Sequence, residues 1–441
     1  MKSEQTAGWG LYPVVEALVE RSRTPQELRR AVQGDAPLLA QGNRRSYGDA
    51  CLAPRVVSTL GMDNLLEFDP DRGLLRAEAG ASLDKIIRFI LPRGYFLPVT
   101  PGTKFPTLGG CIAADVHGKN HHSEGSIANF VEELEMVLAD GSWLRCSRAE
   151  HPDLFWATLG GMGLTGLVYA ATLRLKKVDS AYIATRSIKT RNFSEACRVF
   201  AETAEDYVYS VAWIDCLARG RALGRSIVIL GDHAPAPRGR ERFRLHSAAQ
   251  RPVPFFLPEF VLNGWSMRAF NAAYYRRQFR RQKDALVHYN PFFYPLDAVA
   301  HWNRVYGRRG FLQYQFAVPF DGGEAFMHSV LERVAARGTA SFLAVLKTFG
   351  PQEGLLSFPL PGYTLALDLP LSDRGLVPIL HGLNREVAEA GGRVYLAKDA
   401  ILSATDFARM YPGLDAFRRI KRQYDPEGLF RSRQSDRLGI T

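Results

Sequence analysis

The chain has 441 residues, 46% of them hydrophobic and 23% charged, which is ordinary globular usage, too long for one comfortable core and too short for three. It has no internal repeat or low-complexity tract, and its five scattered cysteines form no CxxC pair, so a solenoid, a disulfide framework and a zinc site are excluded. The net charge of +11 lacks the RNP or helix-turn-helix pattern of a nucleic-acid reader, so no nucleic-acid partner is expected.

The opening segment MKSEQTAGWGLYP lacks the apolar core of a signal peptide. No later run reaches the roughly 18 apolar residues of a membrane span, so a cytoplasmic protein in a reducing compartment is expected. Thr24-Pro25-Gln26-Glu27 is a capping box with proline at the first helical position, predicting a helix through Leu28 and Val32. Leu74 to Ala79 reads as a strand. Ser82 then caps a helix with Leu83, Ile86, Ile87 and Ile90 on one face. Asp140-Gly141 is a hairpin turn between Leu134 to Leu138 and Trp143 to Cys146, and Leu167 to Leu175 is a further strand. Helices mixed with antiparallel hairpins predict an α+β fold. Beyond about residue 180, runs such as Ser210 to Ile214 and Ser226 to Leu230 suggest a second, mixed or antiparallel sheet domain. Near residue 393 the chain returns to the first domain, with a helix around Asp406 to Tyr411.

Glycines 161, 163 and 166 spell GxGxxG, but the helix-like run Asp153 to Thr158 precedes them and a strand follows. That is the inverse of a Rossmann dinucleotide site. Better phosphate cradles are Gln41 to Asp49, after the apolar strand Leu38 to Ala40, and Pro101 to Ala113, where small residues let backbone N–H groups approach an anion. His117 and His121 are four apart, but without the intervening glutamate of HExxH. The string His117-Gly118-Lys119-Asn120-His121-His122 therefore reads as a loop around a cofactor, with no metal expected.

Between Arg238 and Lys283 lie eleven arginines and lysines against Glu241 and Glu259, interleaved with Phe255, Phe256, Phe260, Trp265, Phe270, Tyr274, Tyr275 and Phe279. Such a mixture suits an anionic lipid surface. Its plain alternative is a solvated basic helix packed by its aromatic side.

GNRRSYGD at 42–49, PGT at 101–103, VHGKNHHSEGS at 116–126, LFWATLGGMGLTG at 154–166, GFLQYQF at 310–316 and YLAKD at 395–399 together resemble the decaprenylphosphoryl-ribose 2′-oxidases. These are flavin enzymes of the vanillyl-alcohol-oxidase type, and the resemblance runs in order along nearly the whole chain. It implies an FAD domain of residues 1–180 and 393–441 around a substrate domain of residues 181–392. By similarity, Gly42-Asn43-Arg44-Arg45-Ser46-Tyr47 and Gly102, Thr103, Thr107, Gly109, Gly110, Cys111 and Ala113 hold the pyrophosphate. His117, Gly118, Asn120, Gly125, Gly163, Val168 and Tyr395 surround the rest of the FAD. Arginine stands where relatives with a covalent flavin have histidine in a GxxHS-type loop, so a non-covalent FAD is implied.

Oxidising a secondary alcohol sends hydride to the flavin and a proton to a base or polarising cation. Lys398 is the first candidate, since at about 3.5 Å and an effective dielectric of about 20 its charge is worth roughly 5 kcal/mol to a developing anion. His117 and Lys119 are its rivals. Tyr47, Tyr294, Gln313, Gln315, Lys347 and Ala366 match substrate-cleft positions. The family carries cysteine at Ala366 and asparagine at Ala344, both expected on the substrate side, and these departures bear on the choice among sugars and prenyl chains. The implied reaction converts a polyprenyl-phosphate-linked pentose to its 2-keto sugar, with an NAD(P)H-dependent keto-reductase as partner and a peripheral position on the inner face of the membrane. The alternative is oxidation of a soluble alditol or aldonolactone.

Overall fold

The computed structural model describes residues 2–34, 36–338 and 343–440. The side-chain oxygen of Thr24 accepts from Glu27 N to start the helix Pro25–Ala31, and Glu27 reaches back to Arg23 N. Ser82 likewise caps Leu83–Ile90 by accepting from Lys85 N. Leu83, Ile86, Ile87 and Ile90 are fully buried, each contributing on the order of 1.5–3 kcal/mol by leaving water.

Three sheets organise the chain. In the first, Lys2–Ala7, Val14–Arg21, Arg55–Ser58 and Leu39–Gln41 lie side by side, and the last two pairings are parallel. The second is antiparallel, in the order Leu65–Asp69, Leu74–Glu78, Leu167–Arg174, Val131–Val137, Trp143–Ser147. Its last hairpin turns at Asp140-Gly141, with Gly141 at φ +79°, a left-handed value that glycine adopts without strain. This is the expected α+β architecture. The helix Pro152–Thr158 runs into the glycines of 160–166 and the strand Leu167–Arg174 leaves them, so the GxGxxG string follows its helix.

The third sheet has eight antiparallel strands, in the order Gln282–His288, Tyr182–Thr190, Ser226–Ala234, Tyr209–Ile214, Ala344–Phe349, Gly362–Pro370, Phe311–Pro319, Arg393–Val394. Side chains alternate between its faces. One face carries Ala212, Val228, Ala344, Leu346, Leu365, Leu367 and Phe316 into a core closed by the helices Phe193–Thr203, Gly323–Arg337 and Leu376–Glu389. The other carries Ile229, Val211, Trp213, Val345, Lys347, Ala366, Gln313 and Gln315, the registers placing Val211 opposite Ile229, Trp213 opposite Val345, and Ala366 opposite both Val345 and Gln315. Ala344 is therefore corrected: it is fully buried in the core, on the face away from Lys347, because three positions along a strand is an odd offset. After Val394 the chain leaves this sheet for the helices Ala404–Met410, Leu414–Tyr424 and Arg433–Leu438.

The C-terminal return is pinned by a buried ion pair. Lys421 Nζ donates to Asp425 (2.6 Å), Leu164 O (3.0 Å) and Phe430 O (2.9 Å), while Asp425 accepts from Leu429 N and Phe430 N. Lys421→Met leaves that carboxylate buried without its cation, and should lower the unfolding free energy in urea by about 3–5 kcal/mol.

Candidate active site

A cavity of about 710 Å³ lies between the polar face of the eight-stranded sheet and the two glycine-bearing loops. The loop after Leu39–Gln41 turns sharply, with Arg44 at φ +50° and its guanidinium donating to Thr6. Asn43 Nδ2 donates to Phe105 O at 2.9 Å, locking this loop to the second one. A Cβ on Gly42 would come within 2.2 Å of Thr107 Oγ1, the atom that caps the helix Leu108–Ala113, so the two loops meet only because residue 42 has no side chain. The Arg45 guanidinium lies 4.1 Å from the Trp9 ring centroid and 5.4 Å from that of Phe105.

At the other end of the loop, Tyr47 N donates to Ala397 O. Gly48 is pressed so closely on Asp399 that a Cβ would lie 1.8 Å from its carbonyl oxygen. Arg437, from the last helix, donates to Asp49 at 2.7 and 3.0 Å and to Asp399 at 2.8 Å. The segments GNRRSYGD and YLAKD, the second carrying Lys398, are thereby one rigid unit.

Most residues that the sequence singles out line this cavity. Gly42 through Tyr47, Gly102, Thr103, Thr107, Gly109, Gly110 and Ala113 form one end; His117, Gly118, Lys119, Gly163, Val168, Tyr395 and Lys398 form its middle. Gln313, Gln315, Lys347 and Ala366 form the sheet floor. Four stand behind the wall. Cys111 is buried in the core, its thiol pushed up by burial. Asn120 donates to Pro98 O and Glu124, Gly125 ends the single-turn helix His121–Glu124, and the Tyr294 hydroxyl pairs with Thr100 Oγ1 at 2.7 Å. The string 117–122 is thus a loop only as far as Asn120.

On the floor, Lys347 Nζ lies 2.9 Å from His117 Nδ1 and Gln315 Nε2 lies 3.1 Å from His117 Nε2. Both ring nitrogens of a neutral imidazole cannot accept. With Lys347 donating to Nδ1, the ring proton sits on Nε2, and turning the Gln315 amide offers it the carbonyl Oε1, an atom otherwise buried without a partner. Burial and the nearby Lys347 and Lys398 hold the His117 imidazole well below its ordinary range, so it is neutral. Burial, with Lys398 and Lys119 beside it, lowers Lys347 likewise. Burial brings Lys119 down to about 8, and Lys398 to about 8 against the opposing pull of Asp368. Asp368, raised to about 6 by burial, accepts from Gln313 Nε2 and from the Tyr306 hydroxyl at 3.2 Å.

Sequence reading did not assign roles to Trp9, Asp368 or Arg437. The acid interrupting the apolar run Leu365–Leu369 was a signal for Asp368; Arg437 had none, since its partners are 388 and 38 residues away.

The arrangement fits a dinucleotide. Arg45 Nε and Ser46 Oγ are buried in loop 42–46 without a hydrogen-bond partner, and the walls at Gly102, Gly109, Gly110 and Ala113 carry almost no side chain. A family model described as FAD binding domain matches residues 19–147, and one described as D-arabinono-1,4-lactone oxidase matches residues 381–438. Fold and site together define an FAD-dependent oxidoreductase. The chain is 35% identical to the decaprenylphosphoryl-β-D-ribose oxidase of Mycolicibacterium smegmatis over 99% of its own length and 98% of that protein's. It belongs to the decaprenylphosphoryl-β-D-ribose oxidase family. It is also 35% identical to an uncharacterized Streptomyces coelicolor protein over 81% of this chain and all of the other. With human Delta(24)-sterol reductase it shares 27% identity over 33% of this chain and 28% of the reductase.

Purified protein should be yellow, and acid precipitation should release the flavin into the supernatant, because arginine occupies the position that a covalent histidine linkage needs. Flavin retained in the pellet would refute non-covalent attachment.

Proposed function

We propose that the chain oxidises the C2′ hydroxyl of a polyprenyl-phosphate-linked pentose, such as decaprenylphosphoryl-ribose, to the 2-keto sugar. One observation carries this reading: a single sheet face holds the Lys347 amine and the amides of Gln313 and Gln315, and an apolar floor at Val345, Val211 and Ile229. The first group suits a phosphate and sugar hydroxyls, the second a hydrocarbon chain. Near full-length similarity to the M. smegmatis oxidase supports the same substrate class. Residues 1–180 and 393–441 would hold the cofactor and 181–392 the substrate. The 2-keto product calls for an NAD(P)H-dependent keto-reductase to complete an epimerisation. A peripheral position at the inner face of the membrane would supply such a substrate; among the described residues no helix is long and apolar enough to cross a membrane. The lactone-oxidase match to residues 381–438 favours a soluble aldonolactone as the second reading, but a soluble sugar makes no use of the apolar floor.

FAD, held by the 42–47 loop and the Gly102–Ala113 segment, would supply the hydride-accepting chemistry. The chain's residues manage the proton and the charge. Lys398 Nζ, neutral above about pH 8, takes the hydroxyl proton as the C–O double bond forms. Asp368, held by Gln313 and Tyr306, lies within the field of that amine and favours its protonated form, stabilising the charge once the proton has been taken. Neutral His117, flanked by Lys347 and Gln315, orients the sugar without adding charge.

Turnover should therefore rise with pH through about 8, because the protonated amine that dominates below cannot accept a proton. Lys398→Ala should keep its FAD, lose about 10²–10⁴-fold in flavin bleaching by substrate, and lose this pH limb. Bleaching at the wild-type rate would remove Lys398 from the mechanism. The substrate reading is tested by anaerobic bleaching with a prenylphosphoryl-ribose against D-arabinono-1,4-lactone: rapid bleaching by the first alone supports it, and by the lactone alone overturns it.

A further inference from the structure

The helix Gly264–Arg276 is apolar on both sides. Its inner side packs on the eight-stranded sheet: Met267 and Asn271 are buried, Asn271 donates to Asp215, and the Tyr275 hydroxyl donates to Thr190 O. Its outer side, in helical i, i+4 rows, presents Trp265, Ala269, Phe270 and Ala273, followed by Arg276 and Arg277. Trp265 is 82% exposed, Phe260 just before the helix 76%, and Phe279 just after it 93%. A helix facing only water would be polar there. Arg281 is engaged by Glu195, but Arg276, Arg277 and Arg280 are exposed and have no acidic partner among the described residues. Bulky exposed aromatics rimmed by unpaired guanidiniums match an anionic lipid interface, where rings enter the headgroup layer and cations meet phosphates.

The same helix borders the cavity. Phe270, half exposed at the surface, stacks on Tyr274 at 6.2 Å between ring centroids, and Tyr274 lies 4.6 Å from Trp213. Tyr274 and Trp213 both line the cavity, and beyond Trp213 the floor continues through Val345 to Lys347. An unbroken apolar path thus joins the exposed face to the polar end of the site.

We propose that the outer face of this helix, with Phe260 and Phe279, docks on an anionic bilayer, and that the Phe270–Tyr274–Trp213 ladder is the route by which the substrate's prenyl tail passes from lipid to the cavity floor. The tail route rests on the prenyl-linked substrate proposed above; the docking face does not. The test uses the FAD-loaded full chain in co-sedimentation with phosphatidylcholine vesicles, with and without phosphatidylglycerol. It compares wild type with Trp265→Ser/Phe279→Ser and with Arg276→Gln/Arg277→Gln/Arg280→Gln. Flavin bleaching is read in parallel with a short-chain soluble prenylphosphoryl-ribose and with a long-chain one embedded in the vesicles.

Wild type should bind the anionic vesicles, less so in high salt, and each variant should bind about tenfold more weakly or worse. Long-chain bleaching should fall in step while short-chain bleaching stays at the wild-type rate. Absent vesicle binding by wild type, or variants that bind and bleach like it, would overturn the proposal and leave the face to a protein partner. Failure of wild type to bleach with the short-chain substrate would overturn the substrate reading and the tail route with it, leaving the docking face to be decided by sedimentation alone.

Discussion

Arg437 joins what the site needs to keep together. Its guanidinium reaches two buried carboxylates, Asp49 and Asp399, and the carbonyl of Leu402, so that the loop after the strand Leu39–Gln41 and the segment bearing Lys398 share one cation. Burial pushes the Asp49 carboxyl up, and the guanidinium works against it. Two carboxylates held this close to each other without a positive partner would be expelled towards water or protonated, and the loops would part. The contact of Gly48 with the Asp399 carbonyl exists because this pairing draws the two segments in.

Around the eight-stranded sheet, the decisive constraint is its two faces. Each strand supplies the core with one set of residues and the cavity with the alternate set, so Phe316 and Leu346 pack against helices while Gln315 and Lys347 look the other way. Polarity on the cavity side then changes across the sheet, with the turn from apolar to polar falling between Val345 and Lys347. The amides Gln313 and Gln315 and the Lys347 amine lie on the strands Phe311–Pro319 and Ala344–Phe349, and apolar groups on Tyr209–Ile214 and Ser226–Ala234. One substrate with a charged head and a greasy tail fits such a gradient, and the ladder at Tyr274 extends it to the surface.

Local chemistry carried the legible part of the fold. Side-chain caps at Thr24 and Ser82, the Asp140-Gly141 turn and the inverted order around the 161–166 glycines are decided by neighbours within a few residues, and the structure has them all. The glycine loops were readable as cradles for the same reason. What was not readable depends on partners far away in sequence. Cys111 sits in the small-residue helix Leu108–Ala113 at the cavity wall, yet its own side chain turns to the core; Tyr294 is spent on Thr100. Ala344 is the instructive failure, because its placement followed resemblance while the alternation of strands, counted back from Lys347, already put it on the other face. For the basic aromatic segment, composition marked the region, but only the helix's orientation shows which rings are left outside.

The clamp on Arg437 also bears on how the protein comes into being. Asp49 is 388 residues from the arginine that completes its pairing. On the ribosome, the strands of the first sheet can pair as they emerge, whereas the helix Leu83–Ile90 waits for Tyr182, Tyr209 and Tyr289 to complete its core. The loop of 42–49 has no such option, for its cation arrives with the helix Arg433–Leu438. Until then it is a half-built cradle with buried acids and no counter-charge. A chain that stops before Arg433 would thus lack the cation that joins the loop of 42–49 to the segment bearing Lys398.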